Sequence, residues 1–345
     1  MISDKTININ SFDFLRFLFA FNVLLGHLAE LSQNSSLQDL LWFSNTKISI
    51  DGFFVISGFL VAKSYCNSSS IKSYFIKRAK RILPAYLVVI ALSTFLLFLF
   101  SDLSFVQYFL NKSTWLYFLW NSIFLNFMHP CLPGVFENGL MCTVNGALWT
   151  IKIEEGFYII LPLLFFMIKK IKRPFLVLTA VYLLSIIYSY LLIYNFNKPE
   201  LAKQLPGSMA YFSVGILIYL SFEAFFKYKY QLLLISVLLL CFNRFLKLDL
   251  FLIYPLVFGV IVISLAYSLT IFKNFGKYGD FTYGLYICHF PIIQITRHFD
   301  FYNKFNPYLI GIMVIVIAFV MAVLSWNLVE KRFLDRFKEK PMAIN

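Results

Sequence analysis

The chain has 345 residues, of which 60% are hydrophobic and 14% are charged, and its mean hydropathy is +0.76. Soluble domains lie closer to half apolar and a quarter charged. The composition therefore excludes a soluble enzyme, a disordered protein and a disulfide scaffold, and it predicts an integral membrane protein. The meaning of the net charge of +13 depends on where the basic residues lie along the chain.

Apolar segments fill most of the chain. A membrane crossing takes about 20 apolar residues, and the sequence predicts about ten transmembrane helices in an all-α polytopic fold. The predicted spans are Phe12–Leu31, Ile48–Tyr65, Ile82–Phe100, Gly146–Ile168, Pro174–Tyr194, Gly207–Phe226, Gln231–Phe245, Leu250–Phe272, Phe281–Thr296 and Pro307–Val329. The shorter stretch Trp115–Phe127 is predicted to lie on the membrane surface or to re-enter it. We expect one transmembrane domain over residues 1–335 and a short cytoplasmic tail over residues 336–345.

Basic residues indicate the sidedness of these spans. Most of the 30 lysines and arginines fall in the segments that lie on the same side as both termini. Short loops rich in these residues face the cytoplasm, so both termini are predicted to be cytoplasmic. The positive charge then reflects membrane topology, and nucleic acid is not expected as a partner.

Two cysteines share the predicted outer loop Ser101–Asn145. Cys131 and Cys142 can form a disulfide there or remain free thiols, and two cysteines alone do not decide between these states.

The first span carries charged and polar side chains within the membrane, where burying them costs free energy. Arg16 and His27 are eleven residues apart, which places them on one face of a helix about 16 Å apart along its axis. This arrangement suits an elongated anionic ligand whose reactive end lies at the imidazole. The alternative is that Arg16 extends to the membrane surface and His27 is a hydrogen-bonded packing residue.

Two further sets of charged residues stand at the ends of spans. Arg78 and Arg81 share a helix face ahead of Pro84, where they can bind phosphates or satisfy the sidedness rule alone. In the fourth span Glu154 is predicted to be freer than Glu155, and Tyr158 lies one turn away. A carboxylate can hold an imidazole in one tautomer, but glutamates also occur at water-exposed helix ends.

The ninth span carries a polar stripe of Tyr283, Tyr286 and His289, which can bind substrate or line a pore. Ser57 lies between glycines in the second span, a pattern typical of close helix packing. No metal site is expected, because the histidines lack the helical i, i+4 spacing and there is no Cys-x-x-Cys motif. His129 and His298 are expected to be ordinary surface residues.

Five motifs in order along nearly the whole chain resemble the membrane-bound acyltransferase-3 family of O-acyltransferases. They are Asp13-Phe14-Leu15-Arg16 with His27, Asp51-Gly52-Phe53-Phe54-Val55-Ile56-Ser57-Gly58-Phe59, Arg78-Ala79-Lys80-Arg81 with Pro84, Leu148-Trp149-Thr150-Ile151 with Glu154 and Phe157-Tyr158, and Tyr283-Gly284-Leu285-Tyr286-Ile287-Cys288-His289-Phe290-Pro291. The chain departs from the family at Phe14 and Phe17, where small residues are frequent. We also expect it to be without the hydrolase-like C-terminal domain that some members carry.

The resemblance implies a donor, an acceptor and a location. Acetyl-CoA or another acyl-CoA is expected to enter from the cytoplasm, with its phosphates held by Arg16, Arg78 and Arg81. It is expected as a donor substrate, with no bound cofactor. The expected acceptor is a hydroxyl of a surface glycan, such as O-antigen, capsule or exopolysaccharide, or of a lipid-linked precursor. The location implied is the bacterial inner membrane, with membrane lipids as the other partners.

The resemblance also implies catalytic roles. We expect His27 to act as general base on the sugar hydroxyl, oriented by Glu154 or Asp51. Substrate-binding or structural roles are expected for a further set of motif residues: Ser57, Trp149, Tyr158, Tyr286 and His289.

Two other classes of protein remain alternatives. A transporter or flippase for a glycan or lipid-linked intermediate would suit ten spans with intramembrane Arg and His, although no internal repeat is visible. A non-catalytic membrane subunit of a polysaccharide export complex is the third interpretation.

Overall fold

The computed structural model describes residues 9–137, 139–246 and 250–334, so the predicted tail at 336–345 lies outside the described residues. Within these ranges the regular structure is helical, and strand-like pairing is limited to an isolated bridge between Cys131 and Thr143. The α-helices, numbered in chain order, are α1 Phe12–Ser32, α2 Thr46–Cys66, α3 Ile71–Leu96, α4 Phe105–Leu110, α5 Lys112–Ser122, α6 Trp149–Ile171, α7 Pro174–Tyr190, α8 Pro199–Ala202, α9 Leu205–Leu220, α10 Phe222–Leu246, α11 Tyr254–Ser268, α12 Thr282–His298, α13 Phe301–Lys304, α14 Pro307–Ser325 and α15 Lys331–Phe333.

Short 3₁₀ and π segments extend or connect these helices. Tight 3₁₀ turns occupy Ser35–Trp42, Leu97–Phe100, Gly146–Leu148, Thr270–Phe272 and Phe275–Lys277. Wider π turns continue α7 at Leu191–Asn195 and α14 at Trp326–Glu330. The predicted spans lie largely on helices of the structure, but the sixth, Gly207–Phe226, extends across α9 and α10.

Six helical segments of the described chain are long and apolar enough to cross a membrane, and a seventh follows if the bent pair formed by α11 and the segment Thr270–Lys277 counts as one span. The remaining predicted spans are helical but miss this criterion for physical reasons. Helices α9 and α12 have only 16 and 17 residues. Helix α6 carries too many charges, including Glu154 and Glu155. The count of ten spans and the cytoplasmic termini stay predictions.

The boundary between the sixth and seventh predicted spans is wrong. We expected the sixth span to reach Phe226, but α9 ends at Leu220 and α10 begins at Phe222. The break is at Ser221, whose hydroxyl donates a hydrogen bond to the Leu217 carbonyl at 2.8 Å. Such a bond back to the preceding turn competes with helix continuation. Hydropathy averaged over many residues does not detect a one-residue break.

The described chain divides into two compact units. The first comprises residues 9–19, 47–74, 153–246 and 250–277. Its core is a cluster of aliphatic and aromatic side chains in which Phe59 packs edge-on against Tyr219 and Tyr267. Helices α2 and α9 approach closely, because a Cβ on Gly58 would lie 2.1 Å from the Phe212 carbonyl oxygen.

The second unit comprises residues 20–46, 75–137, 139–152 and 278–334. Helices α12 and α14 approach closely here, since a Cβ on Gly284 would lie 2.9 Å from the Ala322 Cα. Cys131 and Cys142 form a disulfide within this unit. The sequence left that pairing open, and the structure decides it.

Candidate active site

Two histidines from distant parts of the chain meet in the second unit. His27 on α1 and His289 on α12 stack with their ring centroids 5.1 Å apart, and His27 Nδ1 lies 2.8 Å from His289 Nε2. His289 is fully buried, whereas His27 is partly accessible. The pair therefore joins one fully buried residue and one residue that is partly accessible.

The hydrogen bonds define the tautomer of both rings when they are neutral. His289 Nδ1 lies 3.1 Å from the Leu285 carbonyl oxygen, which can only accept, so this nitrogen carries the proton. His289 Nε2 is then an acceptor, and His27 Nδ1 must donate to it. A neutral imidazole has one N–H, so His27 Nε2 retains its lone pair. That nitrogen is where a general base needs a free acceptor.

The segment that leads into α6 packs around this pair. Phe290 lies edge-on to the His27 ring with centroids 5.3 Å apart. A Cβ on Gly146 would come within 2.7 Å of the Phe290 ring, so glycine permits this approach. Asn145 donates a hydrogen bond to the Ile287 carbonyl at 2.8 Å. Contacts from this segment thus fix the turn of α12 that presents His289.

Two residues of the sequence motifs, Thr150 and Tyr286, form a hydrogen bond near the histidine pair. The hydroxyls of Thr150 and Tyr286 are 2.8 Å apart, which links α6 to α12 one turn before His289. Trp149 begins α6 and is half-buried. Of the predicted substrate-binding or structural residues, Tyr286 and His289 therefore lie on one stretch of α12.

Arg81 on α3 faces carboxylates. Its guanidinium lies 2.6 Å from Asp280 and 3.6 Å from Glu330, and both carboxylates are almost completely buried. The guanidinium also lies over the Tyr283 ring at 5.8 Å. The charge of Arg81 is therefore matched inside the protein. Arg78 is half-buried one turn earlier on the same helix.

The predicted carboxylates lie in the first unit. Glu154 on α6 accepts a hydrogen bond from Tyr158 at 2.5 Å and one from Ser57 at 3.4 Å. Asp51 on α2 pairs with Lys47 at 2.8 Å. Each carboxylate thus has partners in its own unit.

The side chain of Asp51 also contacts the Tyr211 hydroxyl. We predicted Glu154 or Asp51 as the group that orients His27, and the described contact to His27 Nδ1 comes from His289. The helical stripe identified His289 as a polar residue of α12. Its partner, His27, is 262 positions away in the chain, so a local sequence pattern cannot predict the pairing.

The first unit also holds Arg16. Helix α1 is uninterrupted from Phe12 to Ser32, so it carries both Arg16 and His27 at helical spacing. Arg16 lies 3.7 Å from Asp13. Phe14, one of the departures from the family pattern, stacks on Phe272 with centroids 3.7 Å apart. The other departure, Phe17, packs against Phe275 at 5.1 Å. The larger side chains thus fill space against the segment that follows α11.

Among the described residues, no group of His, Cys, Asp or Glu side chains is arranged to hold a metal ion. The chemistry that the histidine pair can support is proton transfer.

A family model of the acyltransferase domain matches residues 9–328, which is nearly the whole chain. The chain belongs to the acyltransferase-3 family.

Two of the relatives in this family match this chain over nearly their full length. Nodulation protein 10 of Rhizobium leguminosarum bv. viciae is 28% identical, with 93% of this chain and 92% of the relative covered. The O-acetyl transferase of Shigella phage Sf6 is 29% identical over 96% of this chain and 98% of its own. The peptidoglycan O-acetyltransferase OatA of Listeria monocytogenes is 24% identical over 93% of this chain and 55% of its own. No solved structure matches the chain.

Family membership makes the protein an enzyme, an acyltransferase of the O-acetyltransferase kind that these relatives represent. Its several apolar helices agree with a multi-pass membrane protein.

Proposed function

We propose that the protein transfers an acetyl group from cytoplasmic acetyl-CoA to a hydroxyl of a cell-surface glycan or of its lipid-linked precursor, within the bacterial inner membrane. The relatives support this choice, because two of them are named for O-acetyl transfer and one of those acts on peptidoglycan. The observation that carries the proposal is the histidine pair, which leaves His27 Nε2 as an acceptor in a largely apolar setting.

In the proposed reaction His27 Nε2 accepts the proton of the acceptor hydroxyl. The hydroxyl oxygen then attacks the thioester carbonyl carbon, the new C–O bond forms and the C–S bond breaks. The CoA thiolate leaves and takes the proton back from the imidazolium. While His27 is charged, its Nδ1–H continues to donate to His289. General base catalysis of this kind contributes about 10²–10⁴-fold.

We propose that Arg16 and Arg78 bind the phosphates of the donor, because guanidinium groups match phosphate oxygens in geometry and charge. Arg81 is retained as a candidate for the same role, although it would have to share its charge with Asp280 and Glu330. The carboxylates Glu154 and Asp51 are kept as candidates for the catalytic machinery.

The test is transfer of labelled acetyl groups from acetyl-CoA to glycan by membranes that contain the wild type or Arg16→Ala, at matched expression. We expect the wild type to move label into alkali-labile esters on glycan. Arg16→Ala should raise the KM for acetyl-CoA and recover most of the rate when the donor is in excess. Membranes without the protein provide the background.

The opposite results have distinct meanings. No transfer by the wild type, together with uptake of glycan precursor into proteoliposomes without acetyl-CoA, would replace the proposal with a transporter. Transfer with an unchanged KM in Arg16→Ala would remove Arg16 from donor binding.

A further inference from the structure

A polar cavity of about 270 Å³ lies in the second unit where α1 and α12 end. We name it the distal cavity, and its walls include Gln33, Gln294, Arg297 and Asn303. The helices that carry the histidine pair lead directly to it. Gln294 lies five residues after His289, about 8 Å along the helix axis. Arg297 lies eight residues after His289, about 12 Å along the same axis.

The polar groups of the distal cavity are fixed in place by neighbours. Gln294 donates hydrogen bonds to the carbonyls of Met141 and Thr143 at 3.1 and 2.8 Å. Arg297 donates through one terminal nitrogen to Gln33. The Asp300 carboxylate accepts from Asn303 at 2.6 Å. Groups held in this way are preorganised, which lowers the cost of ordering them around a ligand.

One donor in this set lacks a partner. Arg297 Nη1 is buried and makes no hydrogen bond within the described residues. An unsatisfied buried donor is costly, more so when it is charged. An oxygen of a ligand in the distal cavity would satisfy it.

The chemistry of the walls selects the kind of ligand. Arg297 and Asp300 place a cation and a carboxylate at the same cavity, so an anionic ligand gains from one and is repelled by the other. Hydroxyl groups both donate and accept, and they match a mixture of guanidinium, carboxylate and amide groups. Phe136 and His298, whose ring centroids are 5.9 Å apart, add apolar wall for the C–H face of a sugar ring.

We propose that the distal cavity binds a neutral sugar residue of the acceptor glycan, so that a neighbouring residue of the same glycan presents its hydroxyl to His27. This proposal rests on the proposed function for the identity of the acceptor. Under the predicted topology the cavity lies on the side away from the cytoplasm, opposite the donor entrance. A cavity of this size is near the lower end of small-molecule sites, roughly 300–1,000 Å³, so it holds one small unit of a longer chain.

The experiment measures equilibrium binding of a glycan to the purified full-length protein in detergent, without acetyl-CoA. The probe is glycan extracted from the cells that express the protein, treated with mild alkali to remove O-acetyl groups and then labelled. Arg297→Gln removes the cation and its unpaired donor. Asn303→Leu changes an exposed wall residue and carries little risk to folding. Arg173→Gln, an exposed arginine of the first unit, is the matched control.

We expect Arg297→Gln to weaken glycan binding about tenfold or more, because a hydrogen bond to a charged group is lost. Asn303→Leu should weaken it by a smaller factor, and Arg173→Gln should bind as the wild type does. Equal binding by wild type, Arg297→Gln and Asn303→Leu, or no binding by the wild type, would overturn the proposal. Weaker binding of both variants with no acetyl transfer by the wild type would support a glycan site here and reject the proposed function instead.

Discussion

His27 depends on a neighbour for the position of its proton. The Leu285 carbonyl fixes the Nδ1 proton of His289, and His289 in turn fixes the Nδ1 proton of His27. A second group that holds an imidazole in one tautomer is a recurrent feature of catalytic histidines. His289 therefore acts in this account as a positioning residue, because it reaches the reaction through His27.

Two substitutions of His289 should have different effects on the reaction. His289→Gln keeps an oxygen that can accept from His27 Nδ1, whereas His289→Leu fills similar space without an acceptor. We expect His289→Leu to lower kcat by about 10²-fold, at the lower end of what a general base contributes. His289→Gln should retain a clearly higher kcat, and both variants should keep a KM for acetyl-CoA near that of the wild type.

A purely structural role for His289 gives another pattern. Both variants would then lose activity in proportion to their loss of folded protein, measured as the unfolding midpoint in detergent. If His289→Gln and His289→Leu had equal kcat values and equal unfolding midpoints, the positioning role of His289 would be contradicted.

The sequence could identify His27 and His289 as polar residues in apolar helices, but it could not pair them. Intramembrane polar groups are rare and functional, so each stands out within its own span. Their contact depends on how α1 and α12 pack, and helical periodicity describes one helix at a time. For the same reason the carboxylates Glu154 and Asp51 were predicted as partners of His27, while their described partners are residues of the first unit.

At the scale of helices, Arg81 joins three elements. It lies on α3, Asp280 lies just before α12, and Glu330 ends the π turn that follows α14. Glu330 is further held by the Ser325 hydroxyl at 2.8 Å. The spacing of Arg78 and Arg81 predicted a phosphate site or a sidedness signal. The buried carboxylates come from distant segments, so no local pattern around Arg81 indicates them.

Loss of Arg81 should destabilise the fold. Arg81→Gln leaves Asp280 and Glu330 buried without their cation, and breaking a buried ion pair costs about 3–5 kcal/mol. We expect a lower unfolding midpoint in detergent for Arg81→Gln. Adding Asp280→Asn and Glu330→Gln should recover part of the loss, since the two buried carboxylates that faced Arg81 are then neutral.

Arg78→Gln is the matched comparison on the same helix. It should raise the KM for acetyl-CoA and lower the unfolding midpoint less than Arg81→Gln does. An Arg81→Gln protein with wild-type stability and a raised KM for acetyl-CoA would instead make Arg81 a donor ligand and contradict its structural role.

At the scale of the whole molecule, hydrophobic segments predicted the helices well. The predicted spans lie largely on helices, because an apolar run of this length has few other stable conformations in a membrane. Details that depend on one residue were missed, such as the break at Ser221 between α9 and α10. The sequence left the disulfide in the loop between α5 and α6 as one of two possibilities, because two cysteines in one loop do not decide their own pairing. The walls of the distal cavity come from segments far apart in the chain, which no local pattern connects.

The central claim is that His27 Nε2 is the base in an acetyl transfer. The most direct test compares kcat of the wild type and His27→Ala at saturating acetyl-CoA and glycan, with matched amounts of folded protein. We expect His27→Ala to lose about 10²–10⁴-fold in kcat, with donor binding preserved. A His27→Ala enzyme that keeps its kcat within a few-fold of the wild type would contradict the claim.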